Sequence, residues 1–259
     1  MTPANNDPYR QQGWAIRFDW GLPGASSIAQ GAAAVVVVDV LSFTTALSVA
    51  IDEGVEVFPF RFRDATAAAF AATRGAVLAI GRREAGSTGV SLSPLSVREA
   101  ARSGPLASSR KLVLPSPNGS TISRQLAESG AVVIGACLRN AAAVAGWLTA
   151  NAAHGPVAVV AAGERWPGDQ MRPAVEDLWG AGAVVDALLR SGFGAASPEA
   201  AAAAAAYREL GSSVKAALSG CGSGRELIAD GYGSEVTMAA EQNVSPRVPV
   251  LVGESFRPA

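Results

Sequence analysis

"AAAVVVVDVLSFTT", residues 32–45, carries an unbroken apolar run into one acid, Asp39, and follows it within a turn by Ser42, Thr44 and Thr45. A continuous Val-rich run of this kind suits a strand buried on both faces, as in a parallel or mixed sheet covered by helices. Similar runs recur at 55–60, 76–80, 111–114, 131–135 and 157–162. Ala-rich stretches of helical character separate most of them, at 44–52, 64–73, 120–129 and 140–151. The alternation predicts an α/β fold, a layered α/β/α arrangement around a parallel or mixed central sheet. Asp39 then stands at the carboxyl end of its strand, where the sites of open parallel sheets gather. An acid there also serves as a helix cap, worth about 1 kcal/mol. The residues alone leave both readings open.

The totals bound the rest. The 259 residues are 49% hydrophobic and 17% charged, with a mean hydropathy of +0.24. That is a globular composition on the apolar side, enough for one α/β domain over 8–253, with a second lobe from about 163 as the alternative. No apolar run reaches the roughly eighteen residues that span a bilayer. The N-terminus lacks the basic-then-apolar pattern of a signal peptide, so a soluble cytoplasmic protein is expected. Net charge is −1 with Lys and Arg scattered, which argues against nucleic acid as a partner. Cys137 and Cys221 are far apart and lack CxxC spacing, which argues against a structural zinc site or a disulfide framework. The single histidine, His154, reads as a solvated loop imidazole in the turn signal "NAAHGPV". One histidine also disfavours His-rich metal sites and Ser-His-Asp catalysis. Chemistry is left to carboxylates, hydroxyls, Arg and a hard metal ion.

After 162 the rhythm changes. A Gly/Pro/Trp loop, "GERWPGDQMRP", precedes the helical stretch "AVEDLWGAGAVVDALLRSG". Ser197 and Pro198 then open a helix containing seven consecutive alanines, with Ser as N-cap and Pro at the first helical position. Two short helices and a final extended segment complete the chain. The loop around Trp166 and the apolar composition favour self-association, a homodimer being the simplest form.

Four further stretches can carry chemistry, each with a plain structural alternative. In "LVLPSPNGSTISRQL" a strand meets an Asn-Gly turn and a helix start, which suits a phosphate cradle or an ordinary turn capped by Ser120. In "MRPAVEDLWGAG", Glu176 and Asp177 lie in the first turns of an apolar helix with Arg172 one turn earlier. Acids there are favoured by the helix dipole, and together with Asp39 they also suit Mg²⁺, which takes hard oxygen ligands. "GRREAGSTGVSLSP" offers Arg82 or Arg83 to an anion, or is a solvated loop. "CGSGRELIADG" places Ser223, Gly224 and Arg225 at a helix start, a weaker cradle. Leu41, two residues after Asp39, stands where a haloacid-dehalogenase phosphatase needs a second acid.

In order along the chain, these stretches resemble the 2-phosphosulfolactate phosphatase (ComB-like) family. Its "IDVLRAST" is similar to "VDVLSFTT" at Val38–Thr45, its Gly-Glu loop to "GRREAG", and its "TTNGT" turn to "SPNGS" at Ser116–Ser120. Its "GSLRNA" resembles "GACLRNA" at Gly135–Ala141, and "AGT…GRFSLED…AG" matches Ala162, Gly163, Arg172, Glu176, Asp177, Ala181 and Gly182. The tail motif resembles "SGRELIADG" followed by Val248 and Pro249. The resemblance implies a ComB-like fold and a Mg²⁺-dependent phosphatase of 2-phospho-3-sulfolactate, on the route to coenzyme M. It places Asp39, Glu176 and Asp177 as metal ligands or metal-water partners and Asp39, Glu176 and Arg172 in the chemistry. Ser116, Asn118, Gly119, Ser120, Glu84 and Arg225 become substrate or phosphate contacts. Three departures accompany it. Ser42 replaces the family's Arg, "STGVSLSP" replaces "GFDLGNSP", and the tail histidine becomes Gly222 or Ser223. Two other readings remain: a degenerate family member that binds an anionic metabolite without turnover, and a carboxylate-metal isomerase or lyase.

Overall fold

The computed structural model describes residues 7–61, 64–86, 89–152 and 155–259; His154 lies outside them. The strands are β1 (Ile16–Trp20), β2 (Ala34–Val38), β3 (Glu56–Phe60), β4 (Val77–Leu78), β5 (Lys111–Pro115), β6 (Val132–Ala136), β7 (Val157–Ala161), β8 (Glu164–Arg165), β9 (Met171–Arg172), β10 (Pro249–Val252) and β11 (Ser255–Pro258). The α-helices are α1 (Gly21–Ile28), α2 (Phe43–Asp52), α3 (Ala65–Arg74), α4 (Arg82–Ala85), α5 (Pro94–Ser103), α6 (Leu106–Ser109) and α7 (Gly119–Leu126) in the first half. In the second half follow α8 (Ala141–Asn151), α9 (Val175–Arg190), α10 (Pro198–Leu210), α11 (Val214–Gly220), α12 (Gly222–Ala229) and α13 (Gly233–Ala239).

Nine strands form one mixed sheet in the order β1-β7-β2-β6-β10-β11-β3-β5-β4. Two parallel blocks, β1-β7-β2-β6 and β3-β5-β4, are joined by the C-terminal hairpin β10-β11. The hairpin pairs antiparallel to each block, through Val250 with Ile134 on one side and Phe256 with Val57 on the other. The short ribbon β8-β9 stands apart from this sheet.

Strand geometry explains why Val35–Val38 are all apolar. Successive side chains point to opposite faces, and here both faces are covered. Val36 and Val38 pack with Ile134, Val144, Leu148, Val184 and Leu188. Val35 and Val37 pack with Ile28, Phe43, Leu47, Val97 and Ile122 on the other side. The layered α/β/α arrangement follows. The run of alanines in α10 has a packing reason as well. A Cβ on Gly182 of α9 would lie 2.1 Å from the Ala203 carbonyl oxygen, so only small residues allow these helices to approach so closely. Ser197 caps α10 by accepting from the Ala200 amide, with Pro198 next. Among the described residues no helix is long and apolar enough to cross a membrane.

Sequence patterning did not single out β1, the β8-β9 ribbon or the division of the final segment into a hairpin. β1 interrupts its apolar residues with Arg17 and Asp19. Buried Arg17 is accommodated because its Nη1 donates to the carbonyls of Ile28 and Gln30, at 3.0 and 2.9 Å.

Candidate active site

The hydroxyls after Asp39 close the turn that leaves β2. Thr44 Oγ1 accepts from the Asp39 amide at 2.9 Å and donates to the Asp39 carbonyl at 2.7 Å. Thr45 Oγ1 donates to the Val40 carbonyl at 2.7 Å. The Leu41–Ser42 peptide within this turn is cis. So tied, the chain enters α2, and the amide of its first residue, Phe43, donates to Asp39 Oδ1 at 3.1 Å. Asp39 therefore serves the helix start and yet lies buried, 6% exposed.

The other oxygen of Asp39 answers the question of the "SPNGS" turn. Oδ2 accepts from the Gly119 amide at 2.9 Å and from Ser116 Oγ at 3.4 Å. The turn does hold an anion, but that anion is the Asp39 carboxylate. The Gly119 amide, a donor that the turn offers to a phosphate, is thus taken by Asp39. Ser120 sits inside the first turn of α7, fully buried, and its hydroxyl donates inward to the Leu114 carbonyl at 2.8 Å. Asn118, not Ser120, occupies the cap position.

Asp177 has a similar bracing role. Its Oδ1 accepts from the Val40 amide at 2.7 Å and its Oδ2 from the Gly163 amide at 2.9 Å. The start of α9 is thereby pinned to the turns after β2 and β7. Burial, followed by the charges of Asp39 and Glu176, pushes the Asp177 carboxyl well above its usual range. Burial also raises Asp39, against the three hydrogen bonds it accepts. Glu176 is 2% exposed and lies against Cys221, whose thiol is pushed up to about 12 by burial and by that carboxylate.

Glu164, at the start of the ribbon, is the acid that the sequence reading passed over. Burial, then the neighbouring Asp39 charge, raises its carboxyl to about 7. Its Oε2 accepts from Asn118 Nδ2 at 3.0 Å, while Asn118 Oδ1 accepts from Arg165 Nε at 3.1 Å. Asn118 thus ties the ribbon to the turn rather than offering itself to solvent. The available signal was positional, since Glu164 follows the end of β7 by three residues, near the carboxyl edge where Asp39 follows β2 by one. Arg172, on the second strand of the ribbon, lies over the Trp166 ring at 5.5 Å and donates to Ser223 Oγ at 3.3 Å.

A cavity of about 910 Å³ opens beside these groups, with Ser116, Glu164, Arg82, Ser223 and Tyr232 in its lining. Glu84 also lines it, from an exposed position. Arg225 lies exposed on α12 and is not part of that lining. The structure therefore gathers Asp39, Ser116, Asn118, Gly119, Glu164, Glu176 and Asp177, and it leaves Arg225 outside. Among the described residues, no three Asp, Glu, His or Cys side chains converge as a metal-ligand set. Asp39, Glu176 and Asp177 are close enough to repel one another, and Asp39 and Asp177 each turn both oxygens to backbone amides.

A family model for 2-phosphosulpholactate phosphatase matches residues 23–254. The chain belongs to this family. The match runs from α1 into the β10-β11 turn and takes in every acid of the site. As a 2-phosphosulpholactate phosphatase family member, the chain carries its buried carboxylates within a phosphatase framework. No curated protein matches the sequence significantly.

Proposed function

We propose that the chain hydrolyses the phosphate monoester of a small phosphorylated acid, with 2-phospho-3-sulfolactate as the substrate that family membership favours, and that it uses Mg²⁺. The observation that carries this reading is the meeting of Asp39, Glu164 and Glu176 beside a large cavity that also bears Arg82 and Ser116. Buried acids that repel one another call for positive charge, from the substrate's counterion or from the protein.

The donor set fits Mg²⁺, which needs only one or two carboxylates beside waters and substrate phosphate. Asp39 and Glu176 would hold it. Asp39 is placed for it by its contact with Ser116 and its closeness to Glu164, both in the cavity lining, and no backbone amide of the described residues is bonded to Glu176 in the way that two occupy Asp177. When bound, the ion would polarise phosphoryl oxygens and lower the pKa of its water. The chain's own groups do the rest. Arg172 offsets charge near Glu164. Glu164, whose carboxyl burial raises, would carry a proton at Oε1, the oxygen not accepting from Asn118, and give it to the leaving alkoxide. The two gripping turns hold Asp39 in place throughout.

Phosphate release from 2-phospho-3-sulfolactate and from p-nitrophenyl phosphate, measured with Mg²⁺ and with EDTA, tests the proposal. Release that requires Mg²⁺ is expected. Equal release in EDTA would overturn the metal assignment. Tight binding of the sulfonated ester without release would instead favour a non-catalytic binder.

A further inference from the structure

The cavity exceeds what a phosphoryl group fills, and one of its charged side chains is built in rather than lying on the rim. Arg83 is 86% exposed and pairs with Asp230 at 3.3 Å, an ordinary surface contact. Arg82 is different, with a side chain 22% exposed. Its Nε and Nη2 donate to Glu235 Oε2 at 3.0 and 2.9 Å, and Nη2 also reaches Ser42 Oγ at 2.8 Å and the Leu92 carbonyl at 3.1 Å. The guanidinium lies 5.4 Å from the Tyr232 ring centroid.

All four hydrogen bonds use Nε and Nη2. Nη1 has no hydrogen-bond partner among the described residues, although Arg82 lines the cavity. Glu235 is itself buried, 4% exposed. Burying a carboxylate to hold one edge of an arginine is costly as a means of stabilising a fold, whereas it fixes the other edge in a set direction without further loss of side-chain freedom. The position of that edge relative to the chemistry follows from Ser42. This residue precedes Phe43, whose amide grips Asp39 Oδ1, so the guanidinium rests on the same turn that positions Asp39.

We propose that Arg82 is the specificity-determining residue of this site, its Nη1 edge taking a second oxyanion of the substrate, a carboxylate or sulfonate, while the phosphoryl group lies toward Asp39. The proposal rests on the reading of the cavity as a phosphomonoester site. Glu235 and Ser42 act as positioning residues by holding the guanidinium.

Titration calorimetry with two non-hydrolysable probes tests it without requiring turnover. These are 3-phosphonopropionate, which carries a second anion, and ethylphosphonate, which does not. The wild-type protein is expected to bind the first about tenfold or more tightly than the second, as a charge-assisted hydrogen bond warrants. Arg82→Gln should shrink that ratio to about threefold or less, and Arg82→Lys should restore part of it. Circular dichroism checks that both variants fold, and Arg82→Lys carries the test if the glutamine variant does not. Absence of preference in the wild-type protein, an unchanged ratio in the variants, or equal weakening of both probes would overturn the proposal. Turnover of p-nitrophenyl phosphate by the wild-type protein reports on the phosphatase reading separately.

Discussion

The backbone amide of Gly119 lies 2.9 Å from Oδ2 of Asp39 and joins two turns 80 residues apart in the chain. With the Phe43 amide on Oδ1, it fixes both oxygens of a buried carboxylate beside the cavity. Rigid support of this kind lets a carboxylate keep one orientation as charge develops on a substrate.

Replacing Asp39 by Asn should separate its two roles. The amide NH₂ faces one of the two backbone donors, which then loses its acceptor at a cost of about 1–3 kcal/mol. Turnover of p-nitrophenyl phosphate should fall by about 10²–10⁴, far more than the unfolding curve moves. An Asp39→Asn protein that retains full rate would remove Asp39 from the chemistry.

Gly119→Ala tests the grip from the other side. An added Cβ would sit 2.5 Å from Phe43 Cδ1 and 2.6 Å from Asp39 Oδ2. Both the turn and the carboxylate must give way, so a loss of about 1–3 kcal/mol in stability is expected. Thermal unfolding and activity should decline together. Unchanged melting would show that the turns are not held as tightly as described.

Glu176→Gln and Asp177→Asn should behave oppositely. Asp177 braces the Val40 and Gly163 amides, so its Asn variant should melt several degrees lower, at about 2–4 °C per kcal/mol. Its Mg²⁺ requirement should stay within about threefold of wild type, since the ion would rest on Asp39 and Glu176. Glu176→Gln should raise the Mg²⁺ concentration for half-maximal activity by about tenfold or more, with little change in melting. Direct titration of Mg²⁺ by calorimetry provides a readout independent of turnover.

The raised Glu164 carboxyl sets a pH signature. Its value moves from 4.5 to about 7 on folding, so the folded chain binds more protons between these values. Its contribution to stability is complete below about pH 4.5 and is lost as pH rises through about 7, at most about 3 kcal/mol. Asp39 and Asp177 are shifted in the same direction, so the Glu164 share is the difference between wild type and Glu164→Gln. The variant should show a flatter stability profile over this window. The alkaline limb of kcat should differ between wild type and Glu164→Gln, because the variant lacks the proton donor. A Glu164→Gln enzyme with the wild-type alkaline limb would show that another group titrates.

The sequence by itself determined the layers, the strand that ends at Asp39 and the helix starts at Ser197 and Asn140. These depend on local periodicity and capping, which a few neighbouring residues settle. The order of the motifs also carried the family. Tertiary structure alone decided which distant groups the site's polar side chains touch. The "SPNGS" amide reaches Asp39 across 80 residues, Asp177 reaches Val40 across 137, and Arg82 reaches Glu235 across 153. The insertion of β10-β11 between β6 and β3 is equally remote from any local pattern. A carboxylate in the sequence advertises only its charge. Whether it braces backbone, holds a proton or faces a substrate depends on which distant donors packing brings to its two oxygens.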